Sequence, residues 1–362
     1  MQHQGVHYDT STIFRGPGYA ISTRRRPLDV SVVRRELEII RDDLHANAVR
    51  IVGSDVRRLT AVAEIALGLG LEVWFSPTFF EYSPEETAAR LVAAAEPAAR
   101  LAAAHPGRVV FVAGGELTLF MPGILPGKDI SGRMKALKAD PTLLGNGNLN
   151  AYLAALVPRL RAVFDGPLVY ASLTFERVDW GPFDYVGVDH YREARTKDRY
   201  VEALRPLDAI GKPVIVTEFG MRTFRGAESS GVLGFGVTDT TRLWLHTRPL
   251  VGRFFRPRLN GAYERDEAMQ ARELGETLDE LERAGVAGAL LSTFVAPEAF
   301  FDEDPRHDLD MDSMSLVKSL PGGRHGTAYP EMAWEPKEAF AAVAHHFAGH
   351  RPRRVTAPVA LL

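Results

Sequence analysis

The chain has 362 residues, of which 46% are hydrophobic, with 43 Lys or Arg against 46 Asp or Glu and a formal net charge of -3. This composition excludes a disordered chain, and the balanced charge argues against nucleic acid or an anionic membrane surface as a partner. The sequence contains no cysteine, which excludes disulfide bonds, thiol nucleophiles and Cys-ligated zinc.

Short β-branched runs alternate with longer segments rich in Ala, Leu, Arg and Glu, which predicts repeated βα units around a parallel sheet. The eight predicted strands span residues 5–9, 48–53, 71–77, 109–114, 167–172, 185–191, 213–220 and 287–294. The predicted helices span residues 30–44, 56–69, 84–104, 149–164, 201–210, 265–284 and 336–347. No linker rich in Gly, Pro or Ser divides the chain, so we expect a single (β/α)8 TIM barrel over residues 1–350 and a frayed C-terminal tail over 351–362.

The other α/β architecture, a doubly wound sheet, usually carries a glycine-rich phosphate loop after its first strand. The segment "GPGYAIS" after the first predicted strand has neither the spacing nor the following helix of such a loop. Two long connections, residues 117–148 after strand four and 221–264 after strand seven, are expected to flank the active face of the barrel.

Two apolar strands each end in a glutamate, Glu116 in "VVFVAGGE" and Glu218 in "VIVTEFG". Charged groups are seldom buried without a partner or a function. In a closed barrel the ends of strands four and seven face each other, so we expect the two carboxyl groups to approach to roughly 5 Å, as in retaining glycosidases. Glu218 would then be the ionised nucleophile, and Glu116 a general acid whose pKa is raised by burial or by its neighbour.

Residues at other strand ends can support this pair. Arg50 on strand two is expected to direct its guanidinium at Glu218, or else to pair with a nearby aspartate. His190 and Tyr191, at the end of "GVDHY" on strand six, are expected to donate hydrogen bonds to Glu218 or to lie at the edge of the core. Further candidate substrate contacts are His7, Asp9 and Trp74 on strands one and three. The aromatic residues that follow strands three, four and five are Phe79, Phe80, Tyr82, Phe120, Phe175 and Trp180.

The two glutamates and their surroundings resemble the large clan of (β/α)8 retaining glycoside hydrolases, over nearly the whole chain. "VTEFG" is similar to the clan's nucleophile strand, and Arg50 and Tyr191 match its supporting arginine and tyrosine. The resemblance implies Glu116 as acid/base and Glu218 as nucleophile. The segments "DLDMDSMSLVK" and "YPEMAWEPKEAF" also resemble bacterial barrel proteins that are often labelled abortive phage infection proteins.

The sequence departs from the clan at two positions. Gly115 stands where the clan has an asparagine that holds the sugar 2-hydroxyl. Strand eight ends in "LLSTF", so that Phe294 takes the place of the clan's tryptophan platform.

The acidic run "FDEDPRHDLDMD" suggests divalent metal ligands, with Asp302, Asp304, Asp308 and Asp310 as candidates. It lacks the glycine and the distal glutamate of an EF-hand loop, so we expect a solvated loop with no metal, and no cofactor for the reaction.

The sequence favours a retaining glycosidase or transglycosidase that acts on a small molecule, either a glycoside or an aromatic or terpenoid natural product. One alternative is a barrel that uses the same acids for a non-hydrolytic cyclisation or rearrangement, which the two departures motivate. Another is a non-catalytic barrel that binds a carbohydrate or a partner protein. No basic segment followed by an apolar run begins the sequence, and no run of about 18 apolar residues occurs, so we expect a cytoplasmic protein without membrane contact.

Overall fold

The computed structural model describes residues 1–16, 19–22, 27–145, 147–194, 196–230, 236–248 and 250–349. The predicted tail over residues 351–362 lies outside the described residues, as do residues 231–235 and 249 of the second long connection.

Eight parallel strands close into a barrel, which confirms the predicted TIM barrel fold. The strands are β1 (His3–Ser11), β2 (Ala48–Gly53), β3 (Glu72–Pro77), β4 (Val109–Gly115), β5 (Leu168–Leu173), β6 (Val186–Asp189), β7 (Val214–Phe219) and β8 (Gly288–Leu291). The barrel closes where β1 pairs with β8, with His3 opposite Gly288.

Seven helices follow the strands in the described residues. They are α1 (Val30–Asp42), α2 (Val56–Gly68), α3 (Pro84–Ala104), α4 (Asn148–Arg161), α5 (Arg205–Asp208), α6 (Glu267–Ala284) and α7 (Glu338–Gly349). Side chains that accept hydrogen bonds from first-turn amides begin several of them, such as Asp29 for α1 and Ser83 in a capping box for α3. Residues 174–185, between β5 and β6, form turns instead of a helix.

Two predicted helices differ from the observed ones. The helix predicted over residues 201–210 is a single turn, α5, because Pro206 has no N–H to bond to the preceding turn and Gly211 follows with a positive φ. The last helix begins at Glu338, because Trp334–Pro336 pairs as a strand with Val317–Ser319. The long connections contain further short helices, Leu117–Phe120, Ile130–Ala139, Ala227–Ser230 and Thr240–His246.

The acidic run after β8 is neutralised by cations of the protein itself. Lys337 Nζ lies 2.8 Å from Asp310 Oδ2, and both side chains are fully buried. Arg265 Nη2 lies 2.8 Å from Asp308 Oδ2 and 2.9 Å from Asp310 Oδ2. The charges of these two carboxylates are therefore neutralised by ion pairs within the protein.

The other two metal candidates of the run also have partners within the protein. Asp302 pairs with Arg256, and Asp304 accepts a hydrogen bond from the Arg306 N–H at 3.0 Å. Across the described ranges, no group of three His, Asp or Glu side chains is arranged to hold a metal ion.

Lys337→Met is expected to destabilise the fold by about 3 kcal/mol, because the buried Asp310 would lose one of its two close cations and keep only Arg265. Chemical unfolding monitored by circular dichroism measures this difference. Lys138→Met, at an exposed position of Ile130–Ala139, is the matched control and should change the unfolding free energy by less than about 0.5 kcal/mol. An equal effect of the two substitutions would contradict the role given to the buried pair.

Candidate active site

A two-lobed cavity opens at the C-terminal end of the barrel strands. The first lobe, about 630 Å³, is lined by residues that follow β1, β2, β3 and β8. The second lobe, about 910 Å³, is lined by residues that follow β5, β6 and β7. Four residues line both lobes, namely Glu116, Phe120, Glu218 and Met314. The two predicted catalytic glutamates therefore lie where the lobes meet.

The Glu218 carboxylate accepts a hydrogen bond and lies close to a positive charge. It is the next-to-last residue of β7, and the Tyr191 hydroxyl donates to its Oε1 atom. Its Oε2 atom lies 3.7 Å from His7 Nδ1 and 3.9 Å from Arg50 Nη1. The structure thus brings two of the predicted support residues, Arg50 and Tyr191, to this carboxylate, together with His7, which was predicted as a substrate contact.

Arg50 and His7 are fixed by the same backbone carbonyl. Arg50 Nη1 donates to Thr217 O at 2.9 Å, and His7 Nε2 lies 2.8 Å from the same atom. A carbonyl oxygen only accepts, so His7 Nε2 carries a proton. Burial, and secondly the charge of Arg50, lower the pKa of His7 well below its usual value. A neutral His7 therefore presents an unprotonated Nδ1 towards Glu218.

Glu116 directly follows β4 and has a different environment. Its backbone is left-handed, with φ of 50°, and its N–H donates to Ala171 O at 2.8 Å. Burial, followed by the charges of Asp189, Glu218 and Glu176, raises the pKa of Glu116 well above its usual value, while Arg50 opposes the shift. This carboxyl group is therefore the one that keeps a proton.

Gly115 lies close to β5 and to the guanidinium of Arg50. A Cβ atom at this position would lie 3.2 Å from Ala171 Cβ and 3.6 Å from Arg50 Nη2. The contact with Ala171 is tighter than an ordinary Cβ contact, whereas the distance to Arg50 is an ordinary van der Waals contact, so a side chain at this position would first crowd β5.

Asp189 is a third carboxyl group of the site, which the sequence analysis missed. It ends β6 opposite Glu218, accepts a hydrogen bond from Thr217 Oγ1 at 2.7 Å and lies 3.8 Å from Arg50 Nη1. Burial, and secondly repulsion from Glu218, raise the pKa of Asp189 to about 8. The signal was present in "GVDHY", where an acid follows an apolar strand as in "VTEFG", but the predicted strand ran on to Tyr191.

His190 takes the second of its two predicted roles, at the edge of the core. Its imidazole stacks on Tyr200 and its Nε2 lies 2.9 Å from Tyr200 O, whereas its backbone N–H donates to Glu218 O at 2.8 Å. The ring therefore borders the second lobe with its Nε2 paired to Tyr200, and the expected hydrogen bond from the imidazole to the Glu218 carboxylate is replaced by a backbone contact.

Trp74 and Phe294 are fully buried and cannot contact a substrate in this structure. Trp74 Nε1 donates to Glu72 Oε1 at 2.6 Å, at the opposite end of the barrel from the glutamates. Phe294 packs edge-to-face against Trp334, with ring centroids 5.5 Å apart. Both assignments as substrate contacts are wrong, because each side chain points into packed protein.

Other predicted contacts do border the cavity. Asp9 lines the first lobe, and its Oδ1 atom accepts hydrogen bonds from the backbone N–H groups of Ser11 and Thr12 at 2.9 and 3.0 Å. The aromatic residues that line the cavity are Phe79, Phe80 and Phe120 in the first lobe and Phe120 and Phe175 in the second. The remaining two pack elsewhere, Tyr82 beneath Arg90 and Trp180 against Phe183.

No helix among the described residues is long and apolar enough to cross a bilayer. The sequence matches no protein-family model and no curated protein.

Several solved structures share the fold of this chain. A GH113 beta-1,4-mannanase superposes with a TM-score of 0.59 at 13% identity, covering 97% of this chain and 100% of that chain. The GH113 beta-mannanase AaManA from Alicyclobacillus acidocaldarius gives 0.55 at 16% identity, covering 96% and 98%. A beta-glucuronidase from Ruminococcus gnavus gives 0.56 at 13% identity, covering 96% of this chain and 49% of that chain. The expected likeness to (β/α)8 glycoside hydrolases is therefore confirmed for the fold.

Asp189→Asn is expected to change how stability depends on pH. The pKa of Asp189 is about 8 in the folded protein against an ordinary value of 3.8, so ionisation between these values favours the unfolded chain. The wild type should lose stability relative to the variant as the pH rises through this window, which melting temperatures at about pH 4 and pH 8 will measure. Glu64→Gln, exposed on α2, is the control. A variant-minus-wild-type difference that is equal at both pH values would contradict the buried, protonated Asp189.

Proposed function

We propose that this protein is a retaining glycoside hydrolase or transglycosidase. The observation that carries the proposal is the position of Glu116 and Glu218 at the junction of the two lobes, in opposite electrostatic surroundings. The Tyr191 hydroxyl and the Arg50 cation face Glu218, whereas burial and negative charge hold a proton on Glu116. A nucleophile and a general acid require these two environments.

In the first step, a carboxylate oxygen of Glu218 attacks the anomeric carbon and the bond to the departing oxygen breaks. Glu116 donates its proton to that oxygen, so the aglycone leaves as a neutral alcohol. In the second step, water or an acceptor hydroxyl attacks the glycosyl-enzyme while the Glu116 carboxylate takes its proton. Glu218 is released as a carboxylate and Glu116 regains its proton.

The neighbours of Glu218 orient it for attack. The Tyr191 hydroxyl holds Oε1, which leaves Oε2 towards His7 and Arg50. With two lobes meeting at these atoms, the groups on either side of the cleaved bond each have a lobe to occupy. The similar structures include a beta-1,4-mannanase and a beta-glucuronidase, so beta-mannosides and beta-glucuronides are the first substrates to test.

An acid-catalysed cyclisation or rearrangement is the second candidate. The aromatic wall of the first lobe favours it, since Phe80 and Phe120 pack with ring centroids 4.2 Å apart and also suit an aryl or terpenoid group. Reaction in ¹⁸O-labelled water separates the two candidates, because hydrolysis places one solvent oxygen in the product and an intramolecular rearrangement places none. A barrel that only binds carbohydrate would show affinity without turnover.

Substitution of the two glutamates should have different effects on aryl glycosides. Glu218→Gln removes the nucleophile, so turnover should be lost with every leaving group. Glu116→Gln removes the acid, so turnover should fall by about 10² to 10⁴ with a poor leaving group and far less with an activated phenolate.

Initial rates with a series of leaving groups, on variants verified as folded by circular dichroism, measure this pattern. Glu64→Gln is the control for loss of an exposed carboxylate and should keep the wild-type rate. Wild-type turnover by either active-site variant would contradict the assignment.

A further inference from the structure

The backbone that follows Glu116 is supported by two side chains, a buried tyrosine and a partly buried glutamate. The Leu117 N–H donates to the Tyr170 hydroxyl oxygen at 2.9 Å, and the Thr118 N–H donates to Glu176 Oε1 at 3.0 Å. Tyr170 lies on β5, and Glu176 lies in the turn that follows it. Two successive amides after Glu116 are therefore fixed by the neighbouring βα connection.

This support acts at a strained position. Glu116 has φ of 50°, in the left-handed region that residues with a side chain seldom adopt. Such a conformation persists only where surrounding contacts determine it, and it sets where the carboxyl group points. The hydrogen bonds to Leu117 and Thr118 lie directly after this residue, so they fix the turn that directs the Glu116 side chain into the cavity.

Glu176 is surrounded by donors. Its Oε2 accepts the Leu173 N–H at 2.8 Å, its Oε1 accepts the Thr118 N–H, and the Tyr170 hydroxyl lies 3.0 and 3.1 Å from the two oxygens. Tyr170 already accepts from Leu117, so its own proton is directed to Glu176. Burial raises the pKa of Glu176, but every one of these hydrogen bonds favours the ionised form. These hydrogen bonds therefore oppose the upward shift of the Glu176 pKa that burial causes.

The charges that face Glu116 differ in how they are compensated. Asp189, whose pKa is raised to about 8, is protonated at neutral pH, and Glu218 lies 3.9 Å from Arg50 Nη1, so this cation offsets part of the Glu218 field. Among the described contacts of Glu176, the donors are two backbone amides, the Thr118 side chain and a phenol, none of which carries a charge. Glu176 is therefore the neighbouring acid whose negative charge is compensated least.

We propose that Tyr170 and Glu176 are positioning residues for Glu116: their hydrogen bonds fix the backbone that follows Glu116, and the Glu176 carboxylate adds negative charge to its surroundings. This assignment rests on the proposed role of Glu116 as general acid. The two residues act through Glu116 and have no direct contact with substrate in the proposal.

Three variants separate the charge from the backbone support. Glu176→Gln removes the charge, Glu176→Asp keeps it on a shorter side chain, and Tyr170→Phe removes the hydroxyl while leaving the carboxylate. Glu64→Gln on the exposed face of α2 removes a charge remote from the cavity. Circular dichroism and melting temperature establish that each variant is folded.

Two measurements are made on each variant, the pH dependence of kcat/KM with a poor leaving group and a ¹³C NMR titration of the Glu116 carboxyl group. The Glu116 resonance is assigned as the one that is absent from the spectrum of Glu116→Gln. Neutralising Glu176 should move both the alkaline limb and the titration midpoint to lower pH by about one unit. Glu176→Asp and Glu64→Gln should leave both near the wild-type position. Tyr170→Phe should lower kcat at least about tenfold without moving the midpoint, because the acid is misdirected while the charge remains.

An unchanged midpoint in folded Glu176→Gln would overturn the proposal, as would wild-type kcat in Tyr170→Phe. If Glu176→Gln does not fold, Glu176→Asp and Tyr170→Phe still test the proposal. A shift of the Glu116 titration midpoint in Glu176→Asp, which keeps the charge, would contradict the role of that charge. The NMR titration is independent of turnover. If the wild type cleaves no glycoside but Glu176→Gln still shifts the midpoint, the proposed function fails and the electrostatic coupling stands.

Discussion

The site depends on Arg50, a buried guanidinium placed among carboxyl groups at the mouth of the barrel. It lies within 4 Å of Asp189 and Glu218, at 3.8 and 3.9 Å, and one positive charge cannot fully compensate several negative ones in a setting with little water. The site must therefore retain protons. The structure distributes them unevenly, with raised pKa values at Asp189 and Glu116 and a hydrogen-bonded carboxylate at Glu218. The chemistry proposed for the protein uses this asymmetry.

The unequal protonation of these acids is possible because all the parallel strands end on the same side of the barrel, so that their last residues lie close together. Glu218 and Asp189 are neighbours across paired strands, so they share Arg50 and the surroundings of Thr217. Glu116 comes from β4 and turns away from ideal strand geometry directly after it. The loops after β1, β3, β6 and β8 then form the walls of the two lobes. The barrel therefore determines which carboxyl groups lie close together at the strand ends, and this proximity determines which of them retain a proton.

The barrel and the acid pair could be predicted because β-branched runs that end in a charged residue are visible in sequence. Whether a side chain on a strand faces the cavity or packed protein was harder to infer from the sequence. Trp74 and Phe294 lie on or next to correctly predicted strands, yet packing, which sequence does not record, sends one towards Glu72 and the other towards Trp334. Glu176 lies in a turn without periodicity, and its contacts with Leu117 and Thr118 depend on a turn conformation that only the three-dimensional structure reveals.

The most direct measurement of the central claim is covalent trapping. Activated 2-deoxy-2-fluoro glycosides slow the release of a glycosyl-enzyme, so intact mass followed by peptide mapping locates the attacked residue. The account predicts one added sugar on the peptide that contains Glu218, formed in the wild type and lost in Glu218→Gln. An adduct on a different residue, or turnover of a glycoside whose fluorinated analogue labels no residue of the folded protein, would contradict Glu218 as the nucleophile.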